Sequence, residues 1–69
     1  MRTIEGLSPH ELQVLNELVK GRASKQIADV LNITENTTKG YLKNIPAKLH
    51  VADRTEAVTV AIQRGIIHF

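Results

Sequence analysis

The chain has 69 residues, no cysteine and a formal net charge of +2 at pH 7, with 42% hydrophobic and 23% charged residues. A chain of this length forms one small domain with a stability of about 3–5 kcal/mol. The composition argues against disorder, a disulfide scaffold, a thiolate zinc site and a membrane-spanning segment.

The first predicted helix spans residues 9–20 and has a clear beginning. Ser8 stands at the N-cap, Pro9 at the first helical position, and Glu11 at the position that completes a capping box with Ser8. Gly21 is expected to end the helix in the left-handed conformation. The apolar positions that follow at helical spacing are Leu12, Leu15, Leu18 and Val19.

The second predicted helix is short, spanning residues 25–31 with Ser24 as its N-cap. Asn32 tolerates the left-handed conformation that ends a helix. Thr34 then starts the next helix after a turn of about three residues, which favours a helix–turn–helix crossing near 90–120°. The apolar stripe of this helix consists of Ile27, Ala28 and Leu31.

The third predicted helix spans residues 35–49, with an expected break near Pro46. A proline inside a helix removes a hydrogen bond to the carbonyl four residues earlier and costs about 3 kcal/mol. The predicted buried stripe consists of Thr38, Leu42, Ile45 and Leu49. The opposite face carries Asn36, Gly40, Lys43, Asn44 and Ala47.

The fourth predicted helix spans residues 54–64, with Asp53 and Glu56 at its start and Gly65 at its end. Its apolar face consists of Ala57, Val58, Ala61 and Ile62. No segment shows the alternation of a strand. The sequence therefore predicts an all-α four-helix bundle that contains a helix–turn–helix, as a single domain over residues 1–69 with a core at about 7–67.

The positive charge is concentrated on the predicted helix–turn–helix. Residues 20–48 contain six lysines and arginines against Asp29 and Glu35, a net +4, whereas residues 1–19 carry −2 and residues 49–69 balance to zero. A local basic face favours binding to a polyanion, although an ordinary solvated surface has the same composition.

The outward face of the third helix suits a DNA groove. Its small side chains would let it enter a major groove about 12 Å wide, and lysine and asparagine can bond base edges there. Gly40 costs about 1 kcal/mol of helix propensity relative to alanine. Close approach to a partner is one reason for that glycine; a weak surface position is the other.

Five blocks of the chain resemble the LuxR-type helix–turn–helix domain over about residues 7–67. They are Leu7-Ser8-Pro9-His10-Glu11-Leu12-Gln13-Val14-Leu15, Ser24-Lys25-Gln26-Ile27-Ala28, Leu31-Asn32-Ile33-Thr34-Glu35-Asn36-Thr37, Lys48-Leu49 before Val51, and Arg54-Thr55-Glu56-Ala57-Val58. The resemblance implies a four-helix DNA-binding domain with helix 3 as recognition helix. In this family the domain is commonly the output module of a two-component response regulator of the FixJ/NarL type, and other members are quorum-sensing or stand-alone regulators.

The resemblance, joined with the residue pattern, predicts three groups of site residues. The base contacts are Asn36, Lys39, Gly40 and Lys43. The phosphate contacts are Ser24, Lys25, Thr37, Tyr41 and Lys48. The contacts between two copies on DNA, through helix 4, are Val58, Thr59, Ala61 and Ile62. The expected partners are double-stranded DNA, a second copy and RNA polymerase in the cytoplasm, with no cofactor, metal or membrane.

Four residues depart from the family pattern. Thr38 replaces a usual valine and can bond back to a carbonyl one turn earlier. Tyr41 stands where histidine is common, and Pro46 stands at a usually apolar position. His50 replaces the glycine that usually ends helix 3, so a mildly strained left-handed turn is expected there.

Two other classes of function were weighed. An enzyme is disfavoured, because His10, His50 and His68 have no nucleophile or carboxylate at a motif spacing and no Gly-rich phosphate loop is present. The alternative is a helical protein-interaction module that uses the helix 4 surface without DNA. Salt separates the two, because DNA binding weakens steeply as salt rises and apolar docking does not.

Overall fold

The computed structural model describes residues 6–67, where it has four α-helices and no strand. They are α1 (Pro9–Val19), α2 (Ser24–Leu31), α3 (Glu35–Lys48) and α4 (Arg54–Gln63). The all-α prediction is confirmed, and each helix bound lies within one residue of its predicted position. His68 and the first five residues of the predicted domain lie outside the described residues.

Three helices begin with the side-chain caps that the sequence predicts or allows. The capping box of α1 is confirmed, since the Ser8 N–H donates to Glu11 Oε1 at 2.8 Å and the Glu11 N–H donates to Ser8 Oγ at 3.3 Å. In α3 the Thr37 N–H donates to Thr34 Oγ1 at 3.1 Å. In α4 the Glu56 N–H donates to Asp53 Oδ1 at 2.9 Å.

The start of α2 differs from the prediction. Ala23, not Ser24, is the N-cap residue, with extended backbone angles, and Ser24 is already helical. The Gln26 side chain holds this start, because its Oε1 accepts the Ala23 N–H at 2.8 Å. The Ser24 hydroxyl is thereby freed from capping and donates to Glu35 Oε2 at 3.5 Å.

All four helices end at a residue with positive φ: Gly21 (87°), Asn32 (57°), His50 (58°) and Gly65 (68°). The left-handed turn predicted at His50 is confirmed, and it allows the Val51 N–H to reach the Pro46 carbonyl at 3.0 Å. This hydrogen bond satisfies a carbonyl that the helix end leaves without a helical donor.

The predicted break in α3 is wrong, because the helix is continuous through Pro46 to Lys48. The proline ring is buried, and the adjacent side chains of Ile45 and Leu49 are fully buried in the core. Packing on both sides of the proline therefore outweighs its unfavourable helix propensity. The back-bond predicted for Thr38 is confirmed, with its Oγ1 donating to the Thr34 carbonyl at 3.1 Å.

The core forms where α3 contacts α1, α2 and α4. Its fully buried members are Leu7, Val14, Leu15, Ile27, Thr38, Ile45, Leu49, Ala57 and Ala61. Contacts with three other helices fix the orientation of α3 and leave one of its faces to solvent. Within residues 6–67 no helix is both long and apolar enough to cross a bilayer.

Candidate nucleic-acid interface

The outward face of α3 is the centre of the candidate site. Asn36, Gly40, Lys43, Asn44 and Ala47 are all exposed, as the helical spacing predicts. A Cβ placed on Gly40 would meet no atom within 4 Å, so nothing in the described part of the chain covers this position. The face is therefore slim and open to a partner.

Lys39 lies on the shoulder of this face in a loose ion pair. Its Nζ is 3.8 Å from Glu35 Oε2, the same oxygen that accepts the Ser24 hydroxyl hydrogen bond. Both charged side chains are well exposed, at 63% for Lys39 and 48% for Glu35. Because exposed pairs of this kind contribute little energy, Lys39 can exchange Glu35 for another anion.

Thr37 and Tyr41 lie on the other shoulder, and Tyr41 contacts the start of α1. The Thr37 hydroxyl oxygen accepts a hydrogen bond from the Thr34 hydroxyl at 2.8 Å. Tyr41 is half-buried, and its ring is almost parallel to that of His10, with ring centroids 6.5 Å apart. Both side chains therefore have defined positions beside the exposed face.

Lys48, a predicted phosphate contact, also forms an ion pair within the domain. Its Nζ lies 2.7 Å from Oε1 of Glu11, whose side chain is 4% exposed, so the pair ties α1 to the end of α3. Burial acts to raise the pKa of Glu11, but hydrogen bonds from Lys48 and Ser8 and the charge of Lys48 outweigh it and hold that pKa below its ordinary value. The charge of Lys48 is thus largely matched within the domain.

Ion pairs within the domain also reduce the free positive charge of the helix–turn–helix. Lys20 Nζ is 3.2 Å from Glu17 Oε2, and the Arg22 guanidinium lies against Oε1 as an ion pair without hydrogen-bond geometry. Three of the six counted cations, these two and Lys48, are therefore paired with acids of α1. Within residues 6–67, the cations without an ion pair are Lys25, Lys43 and Arg54.

Arg54 is a candidate that the sequence reasoning missed. The charges of residues 49–69 cancel in number, which hid the fact that Asp53, as the cap of α4, does not pair with Arg54. An open groove of about 480 Å³ between α3 and the start of α4 is lined by Ser24, Lys39, Leu42, Lys43, Pro46, Ala52, Asp53 and Arg54. No three acidic or histidine side chains within residues 6–67 converge into a metal site.

The predicted contact surface of α4 is only partly available. Thr59 is exposed, Ile62 is 44% exposed and Val58 is half-buried, so these three can meet another molecule. Ala61 is fully buried in the core and cannot contact a second copy, which corrects that prediction. The spacing of apolar residues identified the apolar face of α4, but it did not show which of those residues are buried in the core.

Comparison with known proteins gives a family match over most of the chain. Residues 5–61 match the family described as bacterial regulatory proteins, luxR family. The chain is 45% identical over 58 residues to the nitrate/nitrite response regulator protein NarP of Escherichia coli K12, covering 84% of this chain and 27% of that protein. It is 43% identical over 63 residues to the transcriptional regulatory protein LnrK of Bacillus subtilis 168, covering 91% and 29%.

The fold matches solved structures as well. The structure of the transcription factor GerE superposes with a TM-score of 0.84 at 27% identity, covering 90% of this chain and 92% of that one. GerE is thus matched over nearly its whole length. By contrast, the chain spans less than a third of the two curated relatives.

Proposed function

Because the chain belongs to the luxR family of bacterial regulatory proteins and is a DNA-binding transcription-regulation domain rather than an enzyme, we propose that α3 reads double-stranded DNA from the major groove. The observation that carries this proposal is the open face of α3, with Lys43 free of any ion pair within residues 6–67 and Gly40 uncovered.

The base contacts follow from the chemistry of this face. The Lys43 ammonium donates to the O6 and N7 acceptors of guanine, and the Asn36 amide pairs with adenine. Lys39 reaches the same groove when it releases Glu35, and Gly40 lets the helix backbone approach the base edges. Each such side chain discriminates among bases, whereas phosphate contacts only position the domain.

The phosphate contacts lie on the shoulders of α3 and at the start of α2. Lys25 is exposed and free of an ion pair within residues 6–67. The Ser24 hydroxyl group precedes it at the start of α2, and the Thr37 and Tyr41 hydroxyl groups lie on α3. Neutral hydroxyl groups and lysines are usual donors to phosphate oxygens. Lys48, whose side chain is 42% exposed, can donate to a phosphate while it keeps its ion pair with Glu11, because an ammonium group has three donors.

The wider role that fits best is the output domain of a two-component response regulator that regulates transcription together with RNA polymerase. The support is the similarity to NarP, a response regulator, and the fact that the matched region is 27% of that protein. The receiver function would then belong to another part of a longer protein.

Two copies would bind adjacent half-sites on DNA through α4. One slim helix reads few base pairs, so pairing of two domains supplies the specificity that one lacks. The proposed contact consists of Val58, Thr59 and Ile62, since Ala61 belongs to the core. A second copy related by two-fold symmetry would meet the same patch on its partner.

The test compares two lysine variants on a DNA site obtained by binding selection from random duplexes. Lys43→Ala should lose both affinity and discrimination against altered sites, by about 1–3 kcal/mol at the base it contacts. Lys25→Ala should weaken selected and random duplexes equally. Lys20→Ala, which removes a lysine paired with Glu17, is the control and should bind normally. The proposal would be contradicted if both Lys43→Ala and Lys25→Ala bind as the parent does, or if the affinity for DNA does not change with salt concentration.

A further inference from the structure

Arg54 has a placement that the stability of its own helix does not explain. It is the first residue of α4, where the helix dipole disfavours a cation. It is exposed, and it forms no ion pair within residues 6–67. Asp53 and Glu56 are engaged with the backbone, accepting the N–H groups of Glu56 and Ala52 respectively. Arg54 is therefore free to meet an external anion.

The groove beside Arg54 is basic. Its lining contains three cations, Lys39, Lys43 and Arg54, against the single carboxylate of Asp53, which gives a net charge of +2. That carboxylate uses Oδ1 to cap α4. Ser24, whose hydroxyl donates to Glu35 Oε2, also lines the groove. A groove with this lining suits a chain of phosphates rather than a cation or an apolar ligand.

We propose that Arg54 is a phosphate contact, so that the DNA-binding surface continues from α3 across the groove to the first turn of α4. The inference rests on the proposed binding of DNA by the α3 face. Ser24 and Arg54 border the same groove, so one DNA strand contacts α2 and α4 while α3 occupies the major groove. Arginine suits this role because its planar guanidinium donates two parallel hydrogen bonds to a phosphate.

The experiment measures the affinity of the full chain for a random-sequence DNA duplex over a salt series. The slope of log K against log salt is negative, and loss of one phosphate contact decreases its magnitude by about 0.9. Arg54→Gln should show this decrease and weaken selected and random duplexes alike, whereas Arg54→Lys should keep the slope of the parent. Arg64→Gln removes the same charge just beyond the other end of α4 and should leave the slope unchanged.

Thermal melting of each variant separates binding from folding. Arg54→Gln should melt at or slightly above the parent temperature, because it removes a cation from a helix N-terminus. If Arg54→Gln keeps the parent slope while Lys25→Ala makes it shallower, Arg54 is not a phosphate contact and the proposed function stands. If Lys25→Ala and Lys43→Ala also bind as the parent does, the proposed function itself fails.

Discussion

The same substitution at two glycines should change stability in opposite directions. Gly40 lies inside α3 and Gly21 follows α1, and a Cβ at either position meets no atom within 4 Å. Gly40→Ala should therefore gain about 1 kcal/mol of helix propensity and raise the melting temperature by about 4–8 °C. Gly21 has a φ of +87°, so Gly21→Ala should lose about 1 kcal/mol, since the left-handed cost outweighs the reduced entropy of the unfolded chain.

DNA binding gives the Gly40 variant a second readout. If the backbone at Gly40 approaches the base edges, the added methyl group holds the helix away, and affinity for the selected site should fall about tenfold, or about 1.4 kcal/mol. Calorimetric melting and fluorescence anisotropy measure the two effects on one sample. If the melting temperature of Gly40→Ala does not rise, the added methyl group does not act through helix propensity alone. If Gly40→Ala binds the selected site with the same affinity as the parent, Gly40 is only a weak surface position.

Two further changes test the packing around α3. Pro46→Leu restores a donor for the Leu42 carbonyl, and the leucine side chain can extend into the adjoining groove. The melting temperature should therefore rise by several degrees, at about 4–8 °C per kcal/mol. A melting temperature at or below that of the parent would show that the buried ring stabilises α3 more than its missing N–H costs. The lowered pKa of Glu11 contributes stability that is present above its unfolded value of 4.5 and lost as pH falls through the lower folded value. Glu11→Gln should flatten this acid dependence in urea unfolding at a series of pH values, and an unchanged dependence would assign it to other carboxylates.

Local signals in the sequence determined most of the fold. Capping residues such as Ser8 and Asp53, together with the left-handed positions Gly21, Asn32 and Gly65, were sufficient to place each helix end within one residue. These signals act over three or four residues, so a sequence displays them directly. Ser24 was misassigned because a serine can cap a helix, while Gln26 holds the start of α2 without it.

The unpredicted interactions at Lys48 and Pro46 join segments that are distant in sequence. The ion pair between Glu11 and Lys48 joins residues 37 positions apart, so no local pattern shows that Lys48 is already paired. The continuity of α3 through Pro46 depends on burial against other helices. The availability of Arg54 is local by contrast, because it depends on which groups Asp53 and Glu56 bind. Periodicity identified the outward face of α3 correctly, because solvent exposure along one helix follows from its geometry alone.

The contact of α3 with each of the other helices makes DNA a ligand of the whole domain. Loosening the part of α3 that carries Thr38 and Ile45 would expose core side chains of its three neighbours. Partial unfolding of that part therefore approaches complete unfolding in cost. Binding at a DNA concentration one hundred times Kd adds about 2.7 kcal/mol, which is comparable with the total stability of about 3–5 kcal/mol expected for this size. Amide hydrogen exchange in the core of α1, which is not part of the reading face, should therefore slow by about a hundredfold when the duplex binds.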